Sequence, residues 1–195
     1  MAGPLGNAAW QNILQKAHVA ESIVNGQWVE VLHNYFPAPA FIICPEGRDT
    51  ANGRTDMVVL QVRNNGGAME RRRVLAFEGK RGADNPPATT QAFFNNLPQL
   101  AGYMANNARL GQYRYGFLAL GAQAVLMSWQ QGAAQNDIYE VRIGAGGVVR
   151  YGQPNNSLTV ANANDAQELG LLMQVVNNAA VDPNNQAIGW STDFT

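Results

Sequence analysis

Three residues offer this chain its plainest chemistry: Asp56, in Arg54-Thr55-Asp56, and Glu78 with Lys80, in Phe77-Glu78-Gly79-Lys80. Two carboxylates on neighbouring strands can share a divalent cation, and hard oxygen ligands suit Mg2+ or Mn2+, which keep several waters and bind phosphate oxygens. A lysine two residues beyond the glutamate lies on the same face of an extended strand. There it could orient an attacking water, help to deprotonate it, or offset charge on a phosphate. The cation would acidify that water and stabilise the pentavalent transition state. Phosphodiester hydrolysis needs this combination. A Glu-x-Lys at a strand end is commonly no more than a solvated face. Here Val74-Leu75-Ala76-Phe77 runs into Glu78 and Val58-Val59-Leu60 follows Asp56. Both acids therefore abut apolar strands, where a charge is costly unless it is paired or liganded.

The elements that must position these residues follow from periodicity and turn chemistry. A helix is expected over Ala8–Asn25, where Trp10, Ile13, Leu14, Ala17 and Val24 recur at helical spacing, Glu21 falls on the same stripe and Gly26 ends the run. Trp28–Tyr35 and Phe41–Cys44 are short apolar runs separated by Pro37 and Pro39, and Pro45–Arg54 reads as a loop. Met57–Val62 and Arg73–Glu78 are β-rich and flank the turn Asn64-Asn65-Gly66-Gly67. They predict a hairpin with Asp56 at the start of one strand and Glu78 at the end of the next.

A helical region over Thr89–Asn107 follows, in which Pro98 should kink the helix or start a second segment. Strands are expected at Tyr115–Leu120, Ala124–Trp129 and Ile138–Ile143, with Gly144–Gly147 as a turn. A last helix over Asp165–Ala179 carries Leu169, Leu172, Val175, Val176 and Ala179 on one face, and the tail from Asp182 reads as irregular. Helix, strands, helix, strands, helix predicts a three-layer α/β/α fold of one domain spanning residues 1–195.

Composition bounds the alternatives. Of 195 residues, 46% are apolar and only 14% charged, which argues for a packed core rather than a disordered tail. Cys44 is the only cysteine, so neither a disulfide framework nor a cysteine-based zinc or iron–sulfur site is available; following Phe41-Ile42-Ile43, it reads as a buried structural thiol. The two histidines, His18 and His33, are too few and badly spaced for a zinc hydrolase. No apolar run has the length of a membrane span and no secretory signal is legible, so an intracellular setting without a membrane is expected.

An aspartate opening one strand and a Glu-x-Lys closing the next resembles the signature of the PD-(D/E)XK, restriction-endonuclease-like, nuclease superfamily. Glu21 matches the upstream acidic residue that many members carry on the first helix. Gln99-Leu-Ala-Gly-Tyr103 is similar to the Gln-x-x-x-Tyr motif of RecB-like nucleases. Gln99 and Tyr103 are four apart, which would place them on one helix face. The resemblance spans Glu21 to Tyr103. It implies a core with a central mixed β-sheet flanked by helices, with Mg2+ or Mn2+ bound by Asp56, Glu78 and Glu21. Lys80 would assist catalysis, and Gln99 and Tyr103 would position the metal site or the nucleic-acid backbone. Thr55 stands where the family name has proline; the resemblance would make His18, three residues before Glu21, the counterpart of an N-terminal histidine of the RecB-like group, although a lone histidine on a helix is more often structural or solvated.

A formal net charge of −1 gives no global basic footprint. Positive charge is instead local: Arg71-Arg72-Arg73 leads into the Glu78 strand, Lys80-Arg81 follows it, and Arg54, Arg63, Arg109 and Arg114 add to it. Such residues can contact phosphates or merely solubilise a hairpin. Trp28, Trp129 and Trp190 read as core residues before they read as base-stacking ones. The expected partner is nucleic acid, DNA ahead of RNA, with a homodimer or a protein partner left open. The expected function is metal-dependent phosphodiester hydrolysis. The competing reading is a catalytically silent nuclease-fold module that binds protein or nucleic acid.

Overall fold

Apolar alternation in the strands and three apolar helix stripes build the architecture. A computed structural model of the chain describes residues 5, 7–15, 20–49, 53–82, 90–106, 110–130, 134, 137–151 and 157–182. Helices α1 (Ala8–Gln15) and α2 (Glu21–Tyr35) precede strands β1 (Phe41–Asp49), β2 (Gly53–Asn65) and β3 (Ala68–Lys80). Helix α3 (Thr90–Asn106) leads to β4 (Leu110–Leu120), β5 (Gln123–Gln130), β6 (Ile138–Gly144), β7 (Gly147–Tyr151) and β8 (Leu158–Thr159), and α4 (Ala163–Val181) closes the order.

The strands form one sheet in the order β1 to β7, with β8 also pairing β5. β3 and β4 run parallel, Phe77 opposite Phe117, and the other described pairs are antiparallel. A parallel pair needs a long crossover, and α3 supplies it. α2 and α4 cover one face of the sheet, where Trp28, Leu32, Leu169 and Met173 meet Phe77, Phe117 and Leu126. α3 covers the other, where Phe93, Leu100 and Met104 meet Ala76, Leu118 and Met127. The result is the expected three-layer α/β/α arrangement around a mixed, mostly antiparallel sheet.

Several boundaries differ from the sequence expectation. The expected helix over Ala8–Asn25 is two helices, and α2 runs through Gly26 to Tyr35. Val24, Trp28, Val31, Leu32 and Tyr35 form one buried stripe at helical spacing, and that tertiary burial outweighs the roughly 1 kcal/mol that a mid-helix glycine costs. Trp28–Tyr35 is therefore helical, and His18 lies outside the described residues. Pro45–Arg54 is not simply a loop. β1 continues to Asp49 and β2 begins at Gly53; β1 is the sheet's edge, where proline is tolerated because one side of the strand has no ladder to serve. Pro98 lies inside a single helix. The expected turn holds: Gly66 and Gly67 both have positive φ and join Asn65 to Ala68, the geometry of a two-residue hairpin turn.

The arginine run also resolves differently along its length. Arg72 is buried, and its guanidinium donates to Gln61 Oε1 and to the carbonyl of Ala180, tying β3 to the end of α4. It is a core residue, not a surface cation, and burial lowers its pKa to about 10, with the nearby charge of Arg63 adding to the shift. Trp28 and Trp129 are core residues as expected, and Trp190 lies outside the described residues. Among the described residues no helix is long and apolar enough to cross a membrane.

Candidate functional site

The site forms where the β2–β3 ladder ends. Met57 opposite Phe77 is its last backbone pair, and side chains take over the bonding beyond it. Thr55, buried, donates its hydroxyl to the carbonyl of Phe77 at 2.6 Å. A proline at this position would have no hydroxyl to give. Two residues on, the backbone amide of Gly79 donates to Asp56 Oδ2 at 2.8 Å, and the amide of Asp56 bonds the Glu78 carboxylate. The two acids thus hold each other's strand.

Glu78 is only 1% exposed, and Lys80 Nζ lies 2.6 Å from its Oε1. Burial pushes the Glu78 carboxyl up, and the neighbouring Asp56 charge adds to that. The Lys80 and Asp56 hydrogen bonds and the Lys80 charge oppose the rise without cancelling it. For Lys80, burial acts to lower the ammonium, but the bond to Glu78 and the charges of Glu78, Asp56 and Glu21 outweigh it and the net shift is upward. Lys80 is therefore a held cation at neutral pH.

Glu21 opens α2, where a carboxylate complements the helix dipole. It is exposed, and its Oε1 approaches Lys80 Nζ at 3.6 Å. The structure thus brings together Asp56, Glu78, Lys80 and Glu21, with Glu21 reaching the group through the lysine. Among the described residues no three or more His, Cys, Asp or Glu side chains converge closely enough to hold a metal ion unaided.

Gln99 and Tyr103 part company. Gln99 is exposed on the flank of the α3 stripe, whereas Tyr103 is buried, with the guanidinium of Arg73 lying 5.8 Å from its ring centroid. Arg73 stands five residues before Glu78 on β3, so Tyr103 is anchored towards the other end of that strand. Cys44 is half-buried on β1 rather than sealed in the core; burial pushes its thiol up, with Arg71 and Arg73 opposing.

Two residues near the site escaped the sequence reading. Asn25 lies one turn after Glu21 on α2 and fits against Gly79, where a Cβ would overlap its Oδ1. The four-residue spacing from Glu21 was the available signal. Glu46 sits between the pairs Pro45–Met57 and Gly47–Thr55, in the β1 position beside Asp56; placing Pro45–Arg54 in a loop hid it. Comparison with family models, curated proteins and solved structures returned no match.

Proposed function

We propose that this chain is a metal-dependent nuclease of the PD-(D/E)XK type, hydrolysing phosphodiester bonds in DNA ahead of RNA. The observation that carries the reading is the interlocked unit of Asp56, Glu78 and Lys80, in which Gly79 orients one acid and Lys80 neutralises the other. The helix–three strands–helix–strand order of α2 to β4, with the unit at the carboxyl end of a parallel pair, supports it further.

The residues fit a hard divalent cation. Asp56 and Glu78 are two carboxylates at the end of neighbouring strands, the first held by the Gly79 amide, and Mg2+ or Mn2+ commonly takes one or two protein carboxylates and fills its remaining positions with water. The cation would offset the charge of a buried carboxylate that is costly without partners. When bound, it would supply Lewis acidity and lower the pKa of water. Lys80, kept protonated by Glu78, would donate to a phosphate oxygen or to the attacking water and stabilise developing negative charge. Glu21 would hold Lys80 from the opposite side, and Asn25 would seat α2 against the strand that carries both.

A binding module that keeps the fold without the reaction is the second reading, favoured by the tight closure of Lys80 onto Glu78 and the exposure of Gln99. Cleavage of plasmid and single-stranded DNA with Mg2+ or Mn2+ separates the two. The wild-type chain cuts, and Lys80→Ala and Asp56→Ala, still folded, lose at least about a hundredfold in rate, the lower range for a positioned acid–base group. Cleavage that persists in Lys80→Ala removes the nuclease assignment, and no cleavage by the wild-type chain turns it to the binding module.

A further inference from the structure

The end of β3 that carries Lys80 is held from the β4 side by a turn. Gly121 and Ala122 join β4 to β5, and Leu120 with Gln123 is the pair that closes the turn. Gly121 has a φ of 59°, a left-handed backbone that glycine takes without steric cost. It is buried and stands outside that ladder, so its backbone groups need partners elsewhere. The amide donates to the carbonyl of Lys80 at 3.0 Å. The carbonyl accepts the indole N–H of Trp28, on α2, at 3.0 Å.

Trp28 is wholly buried, and two rings set its indole: Phe117 lies edge-on at 5.1 Å and Phe77 tilted at 6.0 Å between centroids. A buried tryptophan usually finds some partner for its N–H; here the partner is the glycine already committed to Lys80. Gly82 leaves room for the turn, because a Cβ there would stand 2.9 Å from the Gly121 Cα. Glu21, Asn25 and Trp28 follow one another at steps of four and three residues, which is one face of a helix. Glu21 flanks the Lys80 ammonium at 3.6 Å, Asn25 packs on Gly79, and Trp28 fixes the turn that holds the Lys80 backbone.

We propose that Trp28 is a positioning residue for Lys80, acting through Gly121. The indole N–H fixes the turn carbonyl, the turn amide fixes the Lys80 carbonyl, and the ammonium is thereby kept beside Glu78, where it would meet a phosphate oxygen or the attacking water. The role of that ammonium rests on the nuclease reading; the linkage from Trp28 to Lys80 does not.

Lys16 and Lys80 are the only lysines of the chain, so lysine labelled with carbon-13 gives a Lys80 Cε signal that Lys80→Arg assigns. The test measures the order parameter of that signal in the full chain, beside cleavage of single-stranded DNA with Mn2+. Trp28→Phe keeps an aromatic ring and removes the N–H; Gly82→Ala pushes the turn aside with Trp28 in place. Both should make the Lys80 side chain more mobile on the picosecond-to-nanosecond timescale. Both should also lower kcat about tenfold or more with KM within about twofold, as misplacement of a group that acts in the transition state does. Val31→Ala, equally buried on α2 but with no side-chain donor to lose, should leave both readings at the parent values. Where Trp28→Phe does not fold, Gly82→Ala decides. An unmoved Lys80 signal in either folded variant overturns the proposal, as does equal loosening in Val31→Ala, which would mark a general loss of packing. A parent that cuts nothing removes the nuclease reading, and the order parameters then decide the linkage alone.

Discussion

Gly79 donates its amide to Asp56 while leaving, on the other side of the strand, the space that Asn25 occupies. A methyl group at this position must displace the Asn25 amide and crowd the Phe77 ring, and overpacking of that kind costs about 1–3 kcal/mol. Gly79→Ala should therefore lower the urea midpoint with an unchanged slope. Asn25→Ala in the same chain should recover much of the loss, because it removes the obstructing group; an additive double variant would show that the two do not meet. Asp56, Glu78 and Lys80 were legible as residues because alternation along strands is short-range and apolar neighbours flank them. Asn25 was not, because its four-residue spacing from Glu21 gains meaning only once α2 is known to approach β3 at Gly79. The contrast between Gln99 and Tyr103 was equally hidden, since spacing alone cannot say which flank of a stripe meets the sheet.

Helix α4 is pinned to β6 by a bidentate pair. Arg142 bonds Glu168 at 2.7 and 2.9 Å, and the amide of Ile143 adds a third bond at 2.9 Å. The hydrogen bond from Arg142, then the Ile143 amide and the Arg142 charge, hold the Glu168 carboxyl below its usual range against the opposing effect of burial. Because the folded pKa is depressed, the stability it supplies is fully present above the unfolded value of about 4.3 and is lost as pH falls through the folded pKa. Glu168→Gln should cost about 2 kcal/mol at pH 7, as expected for hydrogen bonds to a charged group, and much less at strongly acid pH. Urea denaturation at both pH values checks it, and an equal deficit at both would show that the charge is not what matters. At this scale the central strands and the last helix were legible from their periodicity. Gly26 and Pro45 misled because each was read as a local breaker, while a buried stripe in α2 and an edge position in β1 decided the outcome.

The two apolar cores on either side of the sheet close without using Asp56 or Glu78, so the fold should not need a metal ion. An ion bound only by the folded state still stabilises it by mass action. Mn2+ at a hundredfold excess over its Kd should add about 2.7 kcal/mol, seen as a raised melting temperature that EDTA abolishes while leaving a cooperative transition. Glu78→Gln should lose that increment, with Mn2+ affinity reduced by calorimetry. An unchanged calorimetric titration would remove Glu78 from the metal site. The three-layer class was legible in the sequence because the order of periodic segments constrains layering. The parallel pairing of β3 with β4 was not read from it, since parallel register depends on contacts forty residues apart, such as Phe77 with Phe117.

That difference in separation also sets a sequence of events in time. Asp56 and Glu78 lie on a hairpin joined by a two-residue turn, and such local pairings form in about 1–10 μs. β4 can dock on β3 only after the crossover has closed a much longer loop, which slows the step. On this ordering the β2–β3 pairing that sets Asp56 beside Glu78 should form before β4 docks against Glu78. A divalent ion taken up at the proposed site would then meet an open carboxylate pair first and an enclosed one later.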